Sequence, residues 1–454
     1  MKYFYLLAIL FLTCSYATMP YDCMRFVEEG VIQDPILEET KYSIESKKAA
    51  SDALFASVIL PKFTFSMLVG PAPGLKESVD DWGDTVDAWD FTKMGPFFGA
   101  EIQAVQPLNI GQYKVGQKAI KADIKQEEMN ILNKELKKEV ELQTYYYNYL
   151  LASDMLELAL DAKKQIDKAY TQLEEKLDED DESVSQMDLL ELKSKMHIVK
   201  EGVSEATSGL NQVMLAIRFS LGLAENDSFQ TTEENLTIRK EPLPPLEEVE
   251  ILTLKFHPDL KRLDFGLEAK AYQVDLAKSK LAPEFFIMGE FTYAKSWAGD
   301  RTSIQKNAFA QDAVNHISGS IGIGFRYRLN FWNGLENLRK AKIEYRSLKL
   351  KEQYAAEGTV LKAKEQYYKA LAAKEKADAL KESLKASESI LKGAAMQYDL
   401  DKSNTSALVS AYTQNINLKK DYAYAVCKYN ILLAELIARM GMHLRDYRNH
   451  FNIQ

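Results

Sequence analysis

Proline is absent between Pro107 and Pro242 and again after Pro283. Both stretches carry helical periodicity. A helix of ~65 residues at 1.5 Å per residue reaches ~98 Å, far beyond an ordinary globular helix. Each proline-free stretch is entered through two runs of a different period. The second pair is PEFFIMGEFTYA, starting at Pro283, and SGSIGIGFRYRLNFWNG, ending at Gly334. In both, apolar residues alternate with small or polar ones, the period of a strand with two unlike faces. A hairpin set among long helices cannot bury its apolar face alone. Its cover must come from outside the chain.

The first pair has the same setting. A helical pattern from about Ile36 to Leu60, with Ala49, Ala50, Ala53 and Ala56 at helical spacing, stops at Pro61. PKFTFSMLVG then alternates, a loop rich in Gly, Pro and Asp is expected from Pro71 to Met94, and a return strand runs from Phe97 to Leu108. The long helix starts near Gly111, with Asn109 as its expected N-cap. LDEDDESVSQ breaks it near Asp178–Gln186, and a second helix runs from Met187 to Leu223. The proline cluster Pro242, Pro244 and Pro245 marks residues 224–257 as a linker. Pro258 opens the next helix, which stops at Pro283. Asn333 is the expected cap of a helix from Gly334 to Tyr398, DLDKSN breaks the pattern, and a last helix runs from Thr405 to Met440. Tyr21–Asp34 is read as irregular.

The two halves repeat. Lys48 and Lys270, Leu54 and Leu276, Pro61 and Pro283, Phe63 and Phe285, and Lys118 and Lys340 all stand 222 residues apart. Leu189 and Leu408, Ala206 and Ala425, Asn211 and Asn430, and Gly222 and Gly441 stand 219 apart. The expected organisation is a signal peptide (1–17), repeat 1 (18–223; β-hairpin 61–108, helical hairpin 111–223), a linker (224–257), repeat 2 (258–442; β-hairpin 283–332, helical hairpin 334–440) and a C-terminal tail (443–454).

Lys2, the apolar run Tyr3–Leu12 and the small residues of Ser15-Tyr16-Ala17 read as a secretory signal cleaved after Ala17. Lipidation at Cys14 is the alternative, but Phe11-Leu12-Thr13 is a poor box for it. No other apolar run reaches the ~18 residues of a membrane helix. Beyond Cys14 only Cys23 and Cys427 remain, too few for a disulfide scaffold. The net charge of −9 argues against a nucleic-acid partner. Catalytic constellations are missing. The five histidines lack metal-ligand spacing, Gly319, Gly322 and Gly324 are not followed by Gly-Lys-Ser/Thr, and no nucleophile elbow occurs. The reading is therefore not an enzyme, with no cofactor and no metal.

Each strand holds ~9–11 residues, the length of a tilted membrane strand. On the last one Ile321, Ile323, Phe325 and Tyr327 face one way, and Ser320, Gly322, Gly324, Arg326 and Arg328 face the other. Lipid on one side and a watery lumen on the other accounts for both sets. Arg326 and Arg328 are thus lumen candidates, with pairing to Glu284 or Glu290 as the alternative. Single-chain barrels begin at about eight strands, and open edges are not tolerated in lipid. Either these are not membrane strands or several chains share one barrel. Three chains would supply ~12 strands.

The ordered set of motifs resembles the TolC-type outer-membrane efflux protein family, the outer-membrane component of tripartite efflux and type I secretion systems. It comprises Leu60-Pro61-Lys62-Phe63 with Ala282-Pro283-Glu284-Phe285, Gln106-Pro107-Leu108-Asn109-Ile110-Gly111, His257-Pro258-Asp259-Leu260, and the repeat endings Leu221-Gly222 and Met440-Gly441. The resemblance implies a mainly α fold with membrane β. Two tandem repeats of helix, strand, strand and long helical hairpin would form a homotrimer with a shared 12-stranded β-barrel in the bacterial outer membrane, continued by an α-helical tunnel in the periplasm. It further implies a passive exit duct for efflux or secretion, partnered by outer-membrane lipid, a periplasmic adaptor and an inner-membrane transporter. A periplasmic coiled-coil interaction protein without channel activity is the alternative.

The helix breaks supply the tip and gate candidates. The first tip carries Asp178, Glu179, Asp180, Asp181 and Glu182, followed by Asp188 and Glu191. The second carries Asp399, Asp401, Lys402, Ser403 and Asn404. Some family members place gating aspartates just after the second tip. Ala407 and Ser410 occupy those positions here, whereas Asp188 aligns with Ala407 between the repeats. A ring of such carboxylates in a narrow pore attracts cations. A solvated acidic turn is the plainer reading of the same run.

Overall fold

The computed structural model describes residues 20–453 except 80, 84, 179–184, 225–226, 228, 299–313, 328, 330 and 401–404. The signal-peptide and Cys14 readings therefore lie outside the described residues, as do Glu179, Asp180, Asp181, Glu182, Arg328, Asp401, Lys402, Ser403 and Asn404. The elements are α1 (Cys23–Ile32), α2 (Pro35–Val58), β1 (Lys62–Val79), β2 (Thr85–Pro107), α3 (Ile110–Asp178), α4 (Gln186–Leu221), α5 (Leu246–Phe256), α6 (Pro258–Ser279), β3 (Glu284–Ser296), β4 (His316–Arg326), α7 (Trp332–Leu400), α8 (Thr405–Arg439) and α9 (Leu444–His450). Helix, two strands, long helix and helix thus occur in that order in each half. No helix among the described residues is long and apolar enough to cross a membrane.

Contacts divide the chain into two compact units. One comprises residues 42–128 and 262–352 and contains a single antiparallel sheet of four strands in the order β1-β2-β3-β4. The registers Phe65↔Ile102, Ile102↔Phe291 and Phe291↔Gly319 put directly opposed residues on the same face across all four strands. Lys47 of α2 lies 3.4 Å from Glu127 of α3, and Lys270 of α6 lies 2.6 Å from Glu344 of α7, so each hairpin is flanked by an ion-paired helix couple.

The other unit comprises residues 20–41, 129–261 and 353–453, and it holds the apolar core. One cluster gathers Phe26, Leu142, Tyr146, Tyr147, Ile217 and Phe229. A second gathers Val249, Tyr429, Leu433, Leu436, Ile437, Met440 and Tyr447. The adjacent tyrosines of α3 serve interhelical packing, since Tyr146 and Tyr147 are both buried and Tyr149 sets its ring edge against Phe229 at 5.0 Å.

Several expectations need correction. The segment from Pro71 to Met94 is not simply a loop. β1 and β2 continue pairing to Val79↔Thr85, with a register shift between Pro73 and Gly74, so both strands exceed the ~11 residues expected. Pro71 and Pro73 fall on β1, which has a neighbour on one side only within the chain, so each meets a ladder on that side alone. Asn333 is not a cap, because α7 begins at Trp332 and places it inside the first turn. Asn109 does precede α3, and its carbonyl accepts from the Tyr113 N–H at 3.2 Å. Residues 21–34 are not irregular. They contain α1, with the Asp22 carboxylate capping the Arg25 N–H at 2.7 Å. The proline-rich linker includes α5, and the C-terminal tail includes α9.

Both helical hairpins end on glycine. Gly222 (φ +62°) and Gly441 (φ +80°) are left-handed, and the residue after each donates back into the helix, Leu223 to the Arg218 carbonyl at 3.0 Å and Met442 to that of Ile437 at 3.2 Å. A positive φ in this motif is what selects glycine at the matched repeat endings.

Candidate functional site

The four-stranded sheet is the first functional surface. One face carries Phe63, Phe65, Met67 and Val69 of β1, Ile102 of β2, Phe285 and Phe291 of β3, and Ile317, Ile321, Ile323 and Phe325 of β4. These side chains are all exposed, Ile321 by 84% and Phe63 by 73%. A contiguous, solvent-facing apolar surface on four strands is not a resting state for a water-soluble chain. The opposite face carries Thr64, Ser66, Glu101, Gln103, Glu290, Thr292, Ser318 and Ser320, interrupted by Leu68, Phe97, Val105, Phe286 and Met288. Among the described residues, β1 and β4 leave their outer edges unpaired. Arg326 shares the polar face. Its guanidinium lies 5.3 Å from the Phe286 ring centroid, with Glu284 opposite it in register, while Glu290 stands opposite Ser320, six residues along β4 from Arg326. Trp297, at the end of β3, and Trp332, at the start of α7, are exposed near opposite ends of this sheet.

The helix ends form the second surface. Asp178 is the last residue of α3, and Asp399 lies in the last turn of α7. The ends of these helices are neighbours, with the Lys176 ammonium 6.0 Å from the Tyr398 ring centroid. Deeper in the same unit the Tyr412 hydroxyl of α8 donates to Asp161 of α3 at 3.3 Å. Asp188 is committed to a capping box. Its carboxylate accepts from the Ser185 N–H at 3.0 Å and hydroxyl at 2.8 Å, while the Ser185 hydroxyl accepts from the Asp188 N–H. Those bonds hold the Asp188 carboxyl below the usual carboxylate range. Glu191 is paired with Lys195 at 2.7 Å. Ala407 and Ser410 are exposed, and Ser410 lines a groove of about 600 Å³ with Lys195, Thr413, Gln414, Asn417 and Asp421.

Sequence reasoning missed the polar seams of the linker. The Asn430 side chain, fully buried on α8, donates to the Thr237 carbonyl at 2.9 Å and accepts from the Arg239 N–H at 3.1 Å, much as a neighbouring strand would. Arg239 then donates to Glu241 at 3.0 Å and Gln143 at 3.2 Å. Tyr146 bonds Glu233, and Asp154 accepts from the Leu236 N–H at 3.0 Å. Burial raises the Asp154 carboxyl above its ordinary range. The available signal was the polar Asn430 in an otherwise apolar helical stripe, since buried amides in such stripes need specific partners.

Residues 252–418 match the family model described as outer membrane efflux protein. The chain resembles that family in both sequence and fold. No curated protein matches it in sequence. Among solved structures it is similar to CusC, whose structures are described in terms of transmembrane channel formation (13% identity, 94% of this chain and 93% of that one, TM-score 0.71). It is also similar to the Campylobacter jejuni CmeC outer membrane channel (16% identity, 95% and 88%, TM-score 0.70) and to the Vibrio cholerae outer membrane protein VceC (14%, 92% and 96%, TM-score 0.67). At these identities the likeness is one of fold, and it spans the outer-membrane efflux fold nearly end to end.

Proposed function

We propose that this protein is an outer-membrane exit channel, a passive conduit for efflux or secretion. The observation that carries the reading is the sheet with one exposed apolar face, one polar face and two open edges. Lipid covers the apolar face, and water fills the space before the polar one. Open edges are intolerable in hydrocarbon, so β1 of one copy pairs with β4 of the next and the ring closes. Three copies give a barrel of about twelve strands, wide enough to keep a lumen. The helical hairpins form the periplasmic tunnel, and their tips meet the adaptor and the inner-membrane transporter. The energy for transport comes from that transporter. The family model matches residues 252–418 in the second half, and the first half runs through the same element order, which supports reading the barrel as two hairpins per copy.

The test is to purify the full chain from outer membranes in detergent, weigh the particle by light scattering and record currents in planar bilayers. A particle of three chains with discrete conductance steps is expected. A monomer in detergent-free buffer with no conductance would return the chain to the class of periplasmic scaffolds.

A further inference from the structure

The C-terminal helix α9 lies across three other elements of its unit and is tied to each by an acidic side chain. At its N-terminal end His443 presents Nδ1 to Glu139 of α3 at 2.6 Å, and the other oxygen of Glu139 accepts from the Leu444 N–H at 3.3 Å. Arg445 pairs with Glu28 of α1 at 2.8 Å. At its C-terminal end His450 presents Nε2 to Glu248 of α5 at 2.8 Å, and Arg448 lies 3.4 Å from Glu241 of the linker. The middle is held differently. Tyr447 is fully buried, donates its hydroxyl to the Pro242 carbonyl at 2.6 Å and packs its ring 4.8 Å from Phe451.

Beneath the N-terminal end is a cavity of about 300 Å³ lined by Met24, Val27, Glu28, Glu139 and residues 443–446. That end is held by its polar bonds beside the cavity and by Leu444, which is buried in the apolar core. We propose that α9 is a proton-loaded clasp. His443, bonded to Glu139 of α3, fastens the N-terminal end of α9 in acid and loosens as the pH rises, while Tyr447 remains as the pivot.

The sign follows from the surroundings. His443 faces Glu139 and Glu135 of α3 and Asp446 of its own helix. Arg445, the nearby cation, is occupied by Glu28. The Glu139 bond raises the His443 imidazolium above its ordinary value. A raised cation stabilises the fastened state fully below the free histidine range near about 6.5, and that stabilisation is lost as pH climbs through the raised value.

Hydrogen exchange read by mass spectrometry on the full chain in detergent tests this. Protection of the α9 amides is compared with that of α8 at about pH 5.5 and about pH 8.5, on either side of the histidine range, after correction for intrinsic exchange. Wild-type α9 is expected to lose about fivefold protection at the higher pH, the factor for trading a charge-assisted hydrogen bond for a neutral one, while α8 is unchanged. The His443→Gln variant keeps a neutral donor and is expected to show the lower protection at both pH values. Tyr447→Phe is expected to lower protection equally at both. Equal wild-type protection at the two pH values, or a pH dependence that survives in His443→Gln, would overturn the clasp. The readout needs no conductance, so it stands or falls apart from the channel reading.

Discussion

Gly441 shows what a single position settles. A Cβ there would sit 2.6 Å from the His257 Cα and from the Phe256 carbonyl carbon and oxygen, all backbone atoms of the α5–α6 junction. Its counterpart Gly222 would meet only the Gln33 side-chain oxygen at 2.8 Å, and that amide can swing away. Gly441→Ala is therefore expected to cost about 2–4 kcal/mol, and Gly222→Ala about 1–2 kcal/mol for the left-handed backbone alone. Thermal unfolding of the two variants side by side checks the ranking. The pairing of these glycines was visible in the sequence as a constant offset, but their inequality was not, because the offending atoms belong to residues 185 positions away. Asp188 carries the same lesson. The sequence presents it as one more carboxylate near the tip, and the structure binds its Oδ2 twice to Ser185, so its charge belongs to the start of α4.

At the scale of elements, alternation was a sufficient signal for all four strands, and it also told their two faces apart. The registers then joined those faces into one surface, which a strand-by-strand reading could not do. Ile321→Arg on the apolar face of β4 is expected to cost about 2–4 kcal/mol of barrel stability, as a cation near the bilayer midplane does. Ser320→Arg, one residue away on the polar face, is expected to leave assembly intact and to lower cation conductance. Detergent extraction yield and single-channel recording separate the two. The elements that went unread, α1, α5 and α9, are short. At 10, 11 and 7 residues they are marginal helices in isolation, and the core packing of Phe26, Val249 and Tyr447 stabilises them. Propensity over so few residues is a weak signal, and the prolines beside α1 and α5 pointed the other way.

At the scale of the whole molecule, the proposed function depends on copies meeting. In the proposed channel the polar sheet face becomes a lumen, and the acidic run between α3 and α4 a ring, only when several chains surround one axis. Replacing Asp178, Glu179, Asp180, Asp181 and Glu182 with their amides is expected to lower the cation-to-anion permeability ratio severalfold, read as a shift in reversal potential under a salt gradient. An unchanged reversal potential would mark the run as a solvated turn.

Periodicity, proline spacing and internal offset by themselves determined the kinds of elements, their order and the need for a cover on the strands. These properties are local or nearly so, because a period of two or of 3.6 is written into neighbouring side chains. Only the tertiary structure decided which carboxylates are already engaged, how the linker is stitched through Asn430 and Arg239, and that the last residues form a helix held at both ends by histidine. Those outcomes depend on partners far apart in the chain, such as Glu139 and His443, whose meeting no local pattern encodes.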